Sequence, residues 1–173
     1  GNTLVFANDD EAKNIESLVR LMEKEKPYYA LDKYLKETFG TKVYKLSLDG
    51  GFTCPNRDGT LGRGGCTYCD NKTFSPAYCN GKLPIARQMS DGIAFFAHKY
   101  PEMRYLAYFQ AYTNTYKPLE ELKEIYSQGL SHEDVVGISI GTRPDCLGEE
   151  ILKNLSSLAD KTFLQIELGL QTT

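Results

Sequence analysis

Between Leu48 and Cys79 the chain reads LDGGFTCPNRDGTLGRGGCTYCDNKTFSPAYC, and four of its five cysteines lie there. Cys66 and Cys69 form a C-x2-C pair, with Cys54 eleven residues before it and Cys79 nine after it. A C-x2-C turn holds two thiolates on one side of the backbone, as a metal ion or cluster requires. Gly59, Gly62, Gly64 and Gly65 stand between Cys54 and the pair, and glycine lets backbone fold closely around a small object. A closed zinc site would use all four cysteines. An open cluster site would use Cys54, Cys66 and Cys69 only. The spacing leaves zinc and iron–sulfur equally open. Disulfides fit least, because the fifth cysteine is left over and nothing in the sequence indicates an oxidising compartment.

The 173 residues carry 20 Lys and Arg against 23 Asp and Glu, a net charge of -3. Bulk charge therefore announces no nucleic-acid binder. The cysteine stretch differs locally. Arg57, Arg63, Lys72, Lys82 and Arg87 outnumber Asp58 and Asp70, which suits either a solvated loop or a phosphate contact. The first residues include Asp9, Asp10 and Glu11 where a secretory signal would be basic and then apolar. No stretch is apolar for long enough to cross a bilayer. The expected location is the cytoplasm, with no membrane partner.

The elements that must position the cysteines follow from periodicity. Residues 3–7 read as a short strand and 10–25 as a packing helix, giving a helical extension over 1–27 of unassigned role. A domain over 28–173 follows. It begins with a helix at 30–39 stopped by Gly40, then a strand at 42–48 that delivers the cysteine loop. A helix at 83–99 has Pro84 in its first turn and Ile85, Met89, Ile93 and Phe96 on one face. His98 sits at its end, where a helix-end role fits better than a ligand role. Strands at 104–110, 134–140 and 162–168 alternate with helices at 118–128 and 149–158, the first of these stopped by Gly129.

Alternating strands and helices predict a parallel α/β sheet, whose functional residues gather at the carboxyl ends of the strands. Each strand end carries distinctive polar residues: the cysteine loop, then Gln110, Thr113 and Asn114, then Thr142, Arg143 and Asp145, then Glu167 and Gln171. Four such ends on one rim predict a shared site. Four strands do not close a barrel, so the chain reads as the N-terminal piece of a longer protein. An open strand edge would favour pairing with a second copy.

The stretches LDGGFTCPNRDG, GRGGCTYC, YFQAYTNT, GISIGTRPDCL and ELGLQT resemble the radical S-adenosylmethionine (SAM) superfamily, and within it the bacterial branch related to the catalytic subunit of Elongator. The resemblance runs from about Tyr34 onward. It implies a partial (βα)6 barrel, of which this chain supplies about four βα units. It implies a 4Fe-4S cluster on Cys54, Cys66 and Cys69, with one iron left to chelate SAM. The superfamily's commonest spacing is C-x3-C-x2-C, and this chain departs from it with eleven residues after Cys54. Tyr68 matches the aromatic position near the adenine. Gln110, Thr113 and Asn114 match the region near the methionine end. Arg143, Glu167 and Gln171 match strand-end positions near the ribose and carboxylate. Cys79 and Cys146 have no ligand role in the pattern.

The implied enzyme cleaves SAM to a 5′-deoxyadenosyl radical, fed by an electron donor such as flavodoxin or ferredoxin. The expected substrate is a tRNA wobble uridine. A small-molecule or protein substrate is the alternative, and a non-catalytic zinc module built on four cysteines is the rival from another class. The chain by itself is expected to be inactive, since the rest of the barrel is missing.

Overall fold

A computed structural model describes residues 28–70, 75–97 and 102–169. The expected strand at 3–7, the helix at 10–25, Lys72, His98 and Gln171 lie outside these. The elements, in order, are α1 (Leu31–Phe39), β1 (Val43–Leu48), α2 (Pro55–Asp58), α3 (Ile85–Ala97), β2 (Arg104–Phe109), α4 (Leu119–Gly129), β3 (Val135–Thr142), a 3-10 turn (Pro144–Cys146), α5 (Glu149–Ala159) and β4 (Phe163–Leu168). The four strands form one sheet in the order β1-β2-β3-β4, and every pairing is parallel. The fold is α/β, as the alternation of elements predicts.

The outer face of the sheet is the core. Leu46, Leu48, Ala107, Phe109, Ile138 and Ile140 are buried there against Ile85 and Met89 of α3, Leu122 and Tyr126 of α4 and Leu155 of α5. Each such large apolar side chain contributes about 1.5–3 kcal/mol by leaving water. Gly40 ends α1 in the left-handed conformation, its N–H bonded to the Lys36 carbonyl. Gly129 differs from expectation. It is the last residue of α4, buried against Phe109, where even a Cβ would stand 3.2 Å from the ring, and Leu130 makes the cap.

The other face is concave. Lys45 of β1 forms an ion pair with Glu167 of β4, although β2 and β3 lie between them. Strands three spacings apart on a flat sheet stand roughly 14 Å from one another. Two side chains bridge that gap only if the sheet curls toward this face. Below, Tyr34 and Phe39 of α1 pack on Phe163, the first residue of β4. Helix α1 therefore lies at the amino end of the strands and leaves the carboxyl end open.

One polar side chain in α3 fixes the start of the cysteine loop. Gln88 is fully buried and fully bonded. Its Nε2 donates to the carbonyls of Asp49 at 2.9 Å and Leu83 at 3.0 Å, and its Oε1 accepts from the Asp49 N–H at 2.9 Å. The exit of β1 and the entry to α3 are thus tied to one amide, and the loop leaves and returns at the same place. Gln88→Leu keeps the volume and removes these bonds, leaving Asp49 backbone groups without partners. Urea unfolding is expected to show a loss of about 2 kcal/mol.

Candidate metal centre

The cysteine loop is held by its own backbone. Cys54 precedes α2 with its carbonyl accepting from the N–H groups of Arg57 and Asp58, and Pro55 starts the turn. The Pro55 carbonyl accepts from Leu61 and Gly62, and the Asn56 carbonyl from Gly65. Gly64 and Gly65 are both left-handed, at φ 85° and 88°, where a side chain would be strained. A Cβ on Gly65 would also stand 2.8 Å from Arg57 Nη1. These two glycines let the chain reverse into Cys66, and a bond from the Cys69 N–H to the Cys66 carbonyl at 3.0 Å closes the C-x2-C turn.

The rim cross-links the loop to the other strand ends. The Thr113 N–H donates to the Thr53 carbonyl, beside Cys54. Asn114 donates to the Gly141 carbonyl from both its backbone N–H and its Nδ2, and its own carbonyl accepts from the Tyr126 hydroxyl at 2.6 Å. Thr115 Oγ1 donates to the Cys146 carbonyl at 2.7 Å and therefore accepts from the Thr142 hydroxyl at 2.5 Å. Three strand ends are stitched together, and Arg143 lands among the sulfurs.

Arg143 holds Asp145 with two bonds, Nε to Oδ1 at 2.8 Å and Nη2 to Oδ2 at 2.6 Å. Its Nη1 points at Cys54 Sγ, 4.0 Å away. The Asp145 pair, with Cys54 adding to it, raises the guanidinium pKa against the opposing effect of desolvation. The Cys66 thiol is pulled below its ordinary range, first by the Asn56 amide at 3.3 Å, then by the Tyr68 hydroxyl, with Arg143 adding its charge against desolvation. Tyr68 is exposed, and its pKa rises through its bond to Cys66, with Cys69 also contributing. Cys54 and Cys66 thus share Arg143 as a neighbour, and Cys66 and Cys69 share Tyr68. Among the described residues, no three His, Cys, Asp or Glu side chains stand at the spacing of ligands to a metal ion. The donor set itself, three thiols with one lowered pKa and a nearby cation, suits a soft metal or an iron–sulfur centre.

Cys79 stands apart from this group. Burial pushes its thiol up to about 11, and the charge that acts on it is Asp49. Cys146 faces Asp145, Arg143 and Cys54, and burial raises its pKa too. Nothing in the spacing of the cysteines indicated that neighbour.

The other expected site residues divide. Thr113 and Asn114 are buried and make scaffold bonds, although Asn114 Oδ1 is a buried acceptor with no partner among the described residues. Gln110 is exposed at the end of β2. Glu167 lies on the concave face rather than among the sulfurs. Burial works to raise its pKa, but bonds from Lys45 and from the Tyr108 hydroxyl at 2.8 Å outweigh it and hold it ionised. Lys45 and Tyr108 were not expected from the sequence. Hollows open at the rim among the described residues. One of about 690 Å³ is lined by Pro55, Leu61, Tyr116, Lys117 and Cys146, and one of about 320 Å³ by Asp49, Cys79, Asn80 and Tyr112.

No family model matches the chain. It is 47% identical over 148 residues to the uncharacterized protein YtqA of Bacillus subtilis, covering 86% of this chain and 46% of that protein. It is 43% identical over 140 residues to protein YhcC of Escherichia coli K12, covering 80% and 44%. It is 37% identical over 142 residues to the uncharacterized protein MJ0486 of Methanocaldococcus jannaschii, covering 80% and 42%. The chain thus spans somewhat less than half the length of these curated relatives. Among the described residues no helix is long and apolar enough to cross a membrane.

Thiol reactivity tests the two cysteine environments. At pH 8, a thiol titrating at about 11 is roughly one part in a thousand thiolate. In metal-free native protein, iodoacetamide with peptide mass mapping is expected to alkylate Cys66 well before Cys79. Asn56→Ala should slow Cys66 and leave Cys79 unchanged. Equal rates for the two thiols would contradict the assignment.

Proposed function

We propose that the chain is the N-terminal part of a radical SAM barrel whose cluster ligands are Cys54, Cys66 and Cys69. The observation that carries this reading is that Arg143 stands beside Cys54 and acts on Cys66, while Tyr68 neighbours Cys66 and Cys69, at the open carboxyl rim of a concave parallel sheet. Such rims are where α/β sheets and barrels place their chemistry. A single tetrahedral ion would need its sulfurs close together, whereas cysteines on different irons of a cluster stand farther apart. Cys79, turned to Asp49, is poorly placed as a fourth ligand, which weakens the zinc-module alternative.

When bound, the cluster and SAM supply the reductive cleavage of a sulfonium and hence a 5′-deoxyadenosyl radical. The protein's part is to bind, orient and exclude water. Asn56 and Tyr68 steady the Cys66 sulfur, and Arg143, braced by Asp145, offsets thiolate charge beside Cys54. Tyr68, exposed between the two paired cysteines, would offer its ring to the adenine of a bound SAM. Arg57 lies over the Tyr112 ring with its guanidinium carbon 5.0 Å from the ring centre, and so links the loop to the end of β2.

For substrate, the reading is a tRNA wobble uridine, in keeping with the local excess of Arg57 and Arg63 on the loop. The test has two parts. Anaerobically reconstituted protein, in its full natural length with a low-potential reductant, is expected to convert SAM to 5′-deoxyadenosine. Cys66→Ala should abolish this, and Cys79→Ala should retain it. Nucleoside analysis of tRNA from cells lacking the protein is expected to show an altered wobble uridine. Unchanged nucleosides with intact SAM cleavage would favour a small-molecule or protein substrate. Colourless stoichiometric zinc that depends on Cys79 would favour the zinc module.

A further inference from the structure

The concave face carries a polar layer that cluster and SAM binding leave unexplained. Ser47, Tyr108, Ser139 and Gln165 are register partners running across all four strands. Strands buried on both faces of a parallel sheet are ordinarily apolar on both. Here the concave face carries this hydroxyl and amide layer directly above buried, apolar Leu106. Ser139 is fully buried, and its hydroxyl lies 3.2 Å from Gln165 Oε1 and also acts on Glu167, which ties the Gln165 amide into this layer. Tyr108 is fixed as firmly. Its hydroxyl donates to Glu167, and the Lys45 ammonium lies 4.7 Å from its ring centre while pairing with the same carboxylate.

The charge balance narrows what this layer could hold. Among the described residues of this face, Lys45 neutralises Glu167, so that pair offers an anionic ligand no unmatched cation and a cationic one no unmatched carboxylate. What remains on offer is neutral: a phenol oxygen, an amide N–H and hydroxyls, all within one layer. That set matches a planar, uncharged group with neighbouring donors and acceptors on its edge. Enzymes acting on a base in RNA or DNA take it out of the stack and read its edge in this manner.

We propose that Tyr108 and Gln165 read the edge of a neutral heterocyclic base turned out of an RNA substrate into the half-barrel. Lys45, Glu167 and Ser139 act as positioning residues for that pair. The proposal rests on the RNA reading given under Proposed function and adds the residues that recognise the base. It places the base one layer inside the rim, below the three cysteines, since Glu167 stands one layer above Gln165 on the same face.

Fluorescence anisotropy with two anticodon stem–loops tests this, using the protein in its full natural length. The stem–loops differ only at the wobble nucleotide, uridine in one and an abasic residue in the other. The native protein is expected to prefer the uridine form by roughly tenfold. Gln165→Leu and the milder Tyr108→Phe should bring that ratio toward one, with the abasic form bound alike by all three proteins. That shared affinity also shows that the variants are folded. A ratio that survives both substitutions, or a native protein indifferent to the wobble base, overturns the proposal. SAM binding on the same preparations separates the two readings. Intact SAM binding without base preference sinks base recognition alone, whereas loss of both sinks the radical SAM reading as well.

Discussion

Cysteines that are to act together as ligands need something to stabilise thiolate charge, and here the cation that faces Cys54 and acts on Cys66 is Arg143. Thiolates repel one another, and each loses hydration when a loop folds over it. The guanidinium faces Cys54 and acts on Cys66, while Asp145 holds it in place with two bonds. Arg143 is there because β3 ends at Thr142, and Thr142 is locked to Thr115. Cys54 is there because Thr53 is locked to Thr113. The rim is a chain of short-range bonds between loops distant in sequence, and the sulfur group is its product. Within the loop, Pro55, Asn56 and Arg57 bind the segment from Leu61 to Gly65. What a metal would add is the final approach of the sulfurs.

Curvature is the second constraint. A flat four-stranded sheet would keep β1 and β4 apart, and Lys45 could not meet Glu167. Their contact makes a hollow face with helix α1 at its foot and the cysteine loop at its mouth. The two faces of the sheet consequently have different chemistry. One is the packed core of Leu46, Phe109, Ile138 and Ile140, and the other sets hydroxyls, an amide and an ion pair beside Leu106 and Phe163.

The order of elements was legible because apolar periodicity and the glycine and proline stops determine it. The strands at 104–110 and 162–168 and the helix at 149–158 were placed to within a residue at their ends, and the strand at 134–140 continues to Thr142. The cysteine loop was legible from its spacing. Gln88 was not, since a buried amide on an apolar helix face looks like a surface position until its three backbone partners are known. Lys45, Tyr108, Ser139 and Gln165 were hidden for a related reason. Each sits within a strand that reads as a mostly apolar run, and only the register shows that they share a face. Thr113 and Asn114 show the converse. Their types suit ligand binding and rim scaffolding equally, and the structure shows them making the scaffold bonds.

Electron paramagnetic resonance of the reduced, reconstituted native protein, with and without SAM, tests the three-cysteine cluster most directly. The expected result is a 4Fe-4S spectrum that changes when SAM is added, and that keeps both its intensity and its response in Cys79→Ala. A spectrum indifferent to SAM, or iron binding that is lost with Cys79, would contradict the three-cysteine assignment.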